Sequence, residues 1–428
     1  MKYTEALDWL NAFESFGMKL GLERIIHLCE RLHNPQHRYK TIHVGGTNGK
    51  GSVSTIIASI LSQSGYTVGL YRSPHLQRFS ERMVVNGEEI SQDDLLTLIE
   101  QIKPLIDDMT NKGKTPTYFE IVTAMAFLYF QNKNVDIAVV EVGLGGQFDA
   151  TTIVTPVLCI ITNISLEHQE ILGDTIEKIA CEKAGILKKD VPLITAAEGQ
   201  SLSVIKDIAK KKHAPLTVIT HHSWKRCKGG LSWQEFHVTG TLKEYVIKTS
   251  MMGRYQGENI SLALAAIEQL QMSGMYITDE AINEGIATVA HPGRMEILST
   301  EPLLLLDGAH TIAGMSVLKE TLENDVVYNR LVLVIGILAD KKIQEMLNII
   351  VPLADVIVVT QSKNTRACEP GKLKENIKQI DAEKEVIVKE TIADAIRYAK
   401  NRAKKDDLIC ITGSLFTVGE ARDFLQKC

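Results

Sequence analysis

The sequence predicts an α/β protein: an N-terminal P-loop-type doubly wound domain with a small antiparallel patch, and a C-terminal Rossmann-like α/β domain. Three observations carry this. Short β-branched runs alternate with helical patterns from residue 42 to residue 196, the rhythm of a parallel sheet joined by crossover helices. The rhythm breaks at 216–250, where short polar-alternating segments surround Gly229 and Gly230 and predict an antiparallel patch. It restarts after HPGR (291–294), whose Pro-Gly pair reads as a turn or linker. The expected division is 1–292 and 293–428.

The strands of the first domain are IHV (42–44), TVGLY (67–71), DIAVVEVG (136–143), VLCIITNI (157–164) and VPLITA (191–196). They are apolar on both faces, as strands covered by helices on each side must be. Between them, one helix is expected from Ser52 to Ser64, ended by Gly65. Another starts at Ser91, with Asp94 three residues on, and a third at Thr117, with Glu120 at capping-box spacing. A helix over about 258–273 follows the patch. In the second domain the strands are LLLLD (303–307), LVLVIGI (331–337), DVIVVT (355–360), EVIVK (385–389) and LICITG (408–413).

Bulk properties narrow the function. Of 428 residues, 45% are apolar and 23% charged, which suits a globular protein with a sizeable core. The net charge of −5, with no basic domain or stripe, gives no reason to expect a nucleic-acid partner. The seven cysteines are odd in number, widely spaced and free of CxxC pairs, which points to a reducing, cytoplasmic setting. The N-terminus has no signal-type apolar core, and no stretch reaches the roughly 18 apolar residues of a membrane span, so no membrane role is expected.

The chemistry starts at HVGGTNGKGS (43–52). A strand, a glycine-rich turn and a helix follow one another, so backbone N–H groups and the helix N-terminus converge where a phosphate would sit. Lys50 is placed to reach outer phosphates, and Ser52 puts a hydroxyl at the helix start. Gly51 separates the two, so the strict GxxxxGK[ST] pattern is not met. A second glycine run, EVGLGGQF (141–148), follows a strand but opens no helix, which makes it a poor dinucleotide fingerprint. Glu141 at the carboxyl end of that strand, beside a triphosphate, is instead a natural magnesium ligand. The bland alternative is a strand-end carboxylate bonded to loop amides.

In SLEHQEILGDTIEKIACEKAGILKK (165–189), Glu167 and His168 fall on the same ligand edge. A histidine there is more often a hydrogen-bonded loop residue than a ligand. Asp174 is expected to cap a helix whose apolar face runs Ile176, Ile179, Ala180 and Leu187, and Lys183 falls on that face. A lysine there must snorkel outward, pair with a strand-end carboxylate, or lose its charge. In the last case its amine could take up CO₂ and become a metal-holding carbamate.

Taken in order, HVGGTNGKGS, SPHL (73–76), ERMVVNG (81–87), FE (119–120), EVGLGG…DAT (141–151), EKAGI (182–186), HPGR (291–294), LDGAH (306–310) and TGSLFTVGE (412–420) resemble the folylpolyglutamate synthase/dihydrofolate synthase family of the Mur ligase superfamily. The resemblance covers essentially the whole chain. It implies that Asn48, Gly49, Lys50, Gly51 and Ser52 bind ATP phosphates, and that Asn259, Arg294 and Asp307 contact the nucleotide. It implies that Ser73, Glu141, His168 and a carbamylated Lys183 hold magnesium, two ions in all, with a monovalent cation such as K⁺ as a further cofactor. Lys50, Lys183 and His310 would serve catalysis. The implied enzyme is a monomer that joins L-glutamate to a reduced folate through an acyl phosphate. The alternatives are glutamate addition to dihydropteroate, alone or as a second activity, a Mur-type ligase for another acyl substrate, and a nucleotide-binding paralogue without catalysis. Gln147-Phe148, Thr152, Glu167, Thr311 and Lys342 depart from the family pattern and put detailed specificity at issue.

Overall fold

The structure, a computed structural model, describes residues 2–17 and 19–427. Its larger sheet has eight strands in the order Glu88–Glu89, Met83–Val85, Val68–Tyr71, Ile137–Glu141, Lys40–Gly45, Leu158–Ile161, Leu193–Thr195 and Leu216–Val218. From Val68–Tyr71 onward the pairing is parallel. The loop-bearing strand Lys40–Gly45 lies at the centre, so the carboxyl ends of both neighbours frame the phosphate loop, the placement expected for a ligand site in an open α/β sheet. Every residue of Ile137–Glu141 and Leu158–Ile161 is buried, which explains their unbroken apolar runs.

One apolar cluster packs the helices Lys50–Gln63 and Gln256–Met272 on one face of this sheet. Another packs Tyr3–Asn11, Glu23–Arg31, Gln92–Asn111 and Tyr118–Asn132 on the opposite side. The caps at Ser91 and Thr117 form as their spacing predicts, each side chain accepting from the backbone N–H three residues on.

Several expectations shift. The loop helix starts at Lys50 and ends at Gln63, not Ser52 and Ser64. The cap before Lys183 is Thr175, which accepts from the Lys178 N–H, while Asp174 pairs with the Lys178 ammonium at 2.8 Å. Of the predicted patch, Trp224–Lys228, Gln234–Thr239 and Glu244–Thr249 form a three-stranded antiparallel sheet, but Leu216–Val218 joins the larger sheet as a parallel edge. Three antiparallel strands were not expected: Met83–Val85 and Glu88–Glu89 are too short to show a period, and Glu296–Thr300, with a register shift between Ile297 and Ser299, has no clean alternation. The second sheet has six strands, Glu296–Thr300, Leu303–Asp307, Leu408–Thr412, Leu331–Ile335, Val356–Val359 and Glu385–Val388 in spatial order, all parallel except the first.

His43 sits in the loop-bearing strand, fully buried. Thr151 Oγ1 spends its proton on Asp149, so it accepts from His43 Nε2 at 2.9 Å. Burial, with help from Lys188, pushes the His43 pKa down to about 3. The unfolded chain therefore binds a proton near pH 6.5 that the folded chain refuses until about pH 3, and stability falls as pH drops through that window. At pH 5 this histidine costs about 2 kcal/mol. Thermal melts at pH 7 and pH 5 should show the loss, and His43→Gln should have the shallower pH slope. Equal slopes would discount the residue.

Candidate active site

The phosphate loop is shaped by its own backbone and by neighbouring side chains. Gly49 has φ of +85°, and a side chain there would run into the Asn259 amide, so glycine is required on both counts. Lys50 Nζ donates to the Gly46 and Thr47 carbonyls at 2.9 and 3.0 Å, which holds the ammonium over the loop. The Asn48 N–H is taken by Asn163 Oδ1 at 3.0 Å, so this residue's first role is to set the loop, with its side chain left on the cavity. Ser52 Oγ lies 3.0 Å from His291 Nδ1 of the HPGR turn.

Every site residue expected from the sequence lines one cavity of about 630 Å³: Asn48, Gly49, Lys50, Gly51, Ser52, Ser73, Glu141, His168, Lys183, Asn259, Arg294, Asp307 and His310. The cavity lies between the carboxyl edge of the larger sheet and the second sheet. On the second side, Asp307 ends a buried strand and accepts from the Met295 and Ala309 N–H groups, each at 2.9 Å. Burial holds its carboxyl above the ordinary range, opposed by the Arg294 guanidinium. His310 Nδ1 lies 2.8 Å from the Gly308 carbonyl, and burial beside Arg294 brings it down to about 4, so it is neutral near pH 7.

Glu141 is buried at its strand end, and among the described residues its carboxylate accepts only a long hydrogen bond, 3.4 Å from the Ser73 N–H. Burial raises its pKa against the pull of Lys50. A buried, thinly satisfied carboxylate beside hydroxyls and a phosphate loop fits a hard divalent cation. Lys183 is 1% exposed, and its Nζ donates to Glu167 Oε1 at 2.7 Å and to the Gly46 carbonyl at 2.9 Å. The unmodified amine does not snorkel outward; it pairs with Glu167. Burial and nearby Lys50 outweigh Glu167 and lower the amine to about 8. Glu167 itself is pushed up by burial, yet Lys183 and Lys50 hold it below the usual carboxylate range.

Among the described residues no three His, Cys, Asp or Glu side chains converge as a metal cluster. Glu141 accepts from the Ser73 N–H, and Lys183 pairs with Glu167, the residue next to His168. His168 adopts φ of +46° at the start of the short helix Gln169–Leu172. The second glycine run serves packing: a side chain at Gly146 would meet the Glu182 and Lys183 carbonyls at 2.6 and 2.7 Å. Glycine there lets the Lys183 helix close on the sheet edge.

The departures find structural places. Thr311 caps Ile312–Asn324, accepting from the Gly314 N–H at 3.0 Å, a role asparagine and threonine share. Thr152 Oγ1 donates to the Gly146 carbonyl. Gln147 ties its backbone to the Glu182 carbonyl and leaves its side chain exposed. Lys342 reaches across the cleft to Gln169 Oε1 at 3.2 Å. Sequence reasoning missed Asn163, Glu258, Arg72 and His291, all on the cavity wall; His291 had a signal, since it opens the HPGR motif. The segment Ser73–Arg82 is fixed by Glu81, which accepts from the Leu76, Gln77 and Arg78 N–H groups at 2.7, 2.9 and 2.8 Å. Gln77 then donates to Asp423 of the last helix at 2.6 Å.

A phosphate loop in one α/β layer, faced across a cavity by a second, is the arrangement of the Mur ligases. The model of the Mur ligase middle domain matches residues 44–267, and that of the Mur ligase glutamate ligase domain matches 293–415. The chain is 36% identical to the dihydrofolate synthase/folylpolyglutamate synthase of Bacillus subtilis, with 99% of each covered. It superposes on the folylpolyglutamate synthase of Thermotoga maritima with a TM-score of 0.86 at 37% identity, covering 99% of this chain and 96% of that one. With the Mycobacterium tuberculosis folylpolyglutamate synthase solved with ADP and AMPPCP, the TM-score is 0.91 at 30% identity, covering 99% of each. The chain belongs to the folylpolyglutamate synthase/dihydrofolate synthase family, whose members are ATP-dependent, amide-forming ligases.

Proposed function

We propose that this enzyme joins L-glutamate to the terminal carboxylate of a reduced folate, with ATP converted to ADP and phosphate. The observation that carries it is the meeting of Lys50, Glu141, Lys183, Arg294, Asp307 and His310 on one cavity between two α/β layers, taken as domains 1–292 and 293–428. A carboxylate is a poor acyl donor, so the γ-phosphoryl group passes to it first. The acyl phosphate is then attacked by the glutamate amine, the C–N bond forms, and phosphate leaves. Lys50 neutralises charge on the transferring group. Asn259, Arg294 and Asp307 grip the nucleotide, while His310, on the same cavity and neutral near pH 7, is assigned to catalysis. Ser73, Glu141, His168 and a carbamylated Lys183 would hold magnesium, which supplies charge neutralisation at the phosphates when bound. The cleft keeps water from the acyl phosphate.

A second reading, glutamate addition to dihydropteroate as a further activity, is favoured by the double name of the Bacillus relative. The purified chain, given ATP, magnesium and labelled glutamate, should incorporate label on tetrahydrofolate; incorporation on dihydropteroate would establish the second activity. No label on either pteridine would overturn both readings. Cytoplasmic, monomeric operation without nucleic acid or membrane fits this chemistry, and no helix among the described residues is long and apolar enough to cross a membrane.

A further inference from the structure

Glu258 lies in the first turn of the helix Gln256–Met272, next to Asn259, and Asn163 lies just beyond the strand Leu158–Ile161. Asn163 makes three contacts. Its carbonyl accepts from the Thr47 N–H at 2.7 Å, its Oδ1 accepts from the Asn48 N–H at 3.0 Å, and its Nδ2 donates to Glu258 Oε1 at 3.1 Å. Thr162 Oγ1 completes the clamp by donating to the Asn48 carbonyl at 2.6 Å.

An asparagine amide is nearly symmetric in shape but opposite in function at its two ends: one accepts and the other only donates. What decides the end presented to the loop is the partner at the far end. Glu258 can only accept while ionised, so it takes the NH₂ end and leaves Oδ1 facing the Asn48 N–H. Without that acceptor the amide is free to turn over, and two donors then face each other at Asn48. The turned amide sets an NH₂ against the Asn48 N–H, so the bond that ties the loop to Asn163 is lost and the loop is free to shift. The amides that follow, at the start of the helix Lys50–Gln63, then lose their common aim.

We infer that Glu258 is a positioning residue for the phosphate loop, acting through the orientation of the Asn163 amide. This rests on the reading that the loop binds the nucleotide. Among the described residues Glu258 makes no hydrogen bond to the loop backbone or to Lys50, so its influence on the loop passes through Asn163. Asn259, its neighbour, is tied separately to Gln256 Oε1 at 2.8 Å.

The test compares two variants of similar volume in the full chain. Glu258→Gln keeps an acceptor oxygen, and Glu258→Met removes it. E258M should weaken ADP binding by titration calorimetry, and raise KM for ATP, about tenfold, the worth of one hydrogen bond. KM for glutamate should hold, with melting within about 2 °C of the native chain. E258Q should stay within about twofold of native on every measure. In the Asn163→Ala background, E258M should have little further effect, because the intermediary is gone. E258M binding ADP as tightly as native, or E258Q failing as badly as E258M, would overturn the role. If the unaltered chain bound no ADP, the reading of the loop itself would fall, and the positioning role with it.

Discussion

Lys50→Met is expected to lower the rate of ATP-dependent glutamate addition by about 10³-fold, with little change in melting temperature. The reasoning starts from where the ammonium is. It rests on two loop carbonyls, 2.9 and 3.0 Å away, at the floor of the cavity. Negative charge spreads over the γ-phosphoryl oxygens during transfer, and a fixed cation in a poorly hydrated cleft is worth about 4 kcal/mol there, which equals the stated factor. Methionine reproduces the lysine chain out to Cε and lacks only the ammonium, so packing is largely kept. Single-turnover transfer from ATP, measured beside ADP affinity, separates chemistry from binding. A variant within tenfold of native would remove Lys50 from the reaction.

The second large effect concerns Lys183 and has two parts that a double substitution separates. Lys183→Met leaves the partly buried Glu167 without its cation, which should cost about 2 kcal/mol of stability, below the full penalty for a buried pair. It should also abolish activity if the amine carries the carbamate. Adding Glu167→Gln removes the stranded charge and should restore the melting temperature without restoring turnover. Recovery of both would reduce Lys183 to a structural ion pair. A lysine held at about 8 has roughly a tenth of its amine uncharged at pH 7, against a few parts in ten thousand at the ordinary value. The uncharged amine is the form that reacts with CO₂, so activity of the native chain in degassed buffer should return on adding bicarbonate, and faster at pH 8 than at pH 7.

Much of this was legible from the residues alone. The central strands announced themselves because burial on both faces forces unbroken apolar runs, and the loop because glycine, lysine and helix start in a fixed order. Lys183 was legible as an anomaly, a cation on an apolar stripe, but its partner was not, since Glu167 and the lysine meet only through the tertiary fold. Asn163 and Glu258 were invisible for the same reason: their importance lies in a hydrogen bond between residues 95 positions apart. Met83–Val85 and Glu88–Glu89 escaped because two or three residues show no period, and Glu296–Thr300 because its register shift breaks the alternation. Asp174 and Thr175 are both good caps, and the backbone chose the second.

The segment Ser73–Arg82 belongs by sequence to the first half of the chain, yet Gln77 is bonded to Asp423 and to Arg422, which is itself paired with Glu296 at 2.9 Å. The last helix is thereby riveted to the opening of the cleft. The two halves are in this way coupled thermodynamically, so denaturant should melt them in one transition, and a saturating nucleotide should raise the resistance of the C-terminal helix to proteolysis although that helix holds none of the phosphate loop.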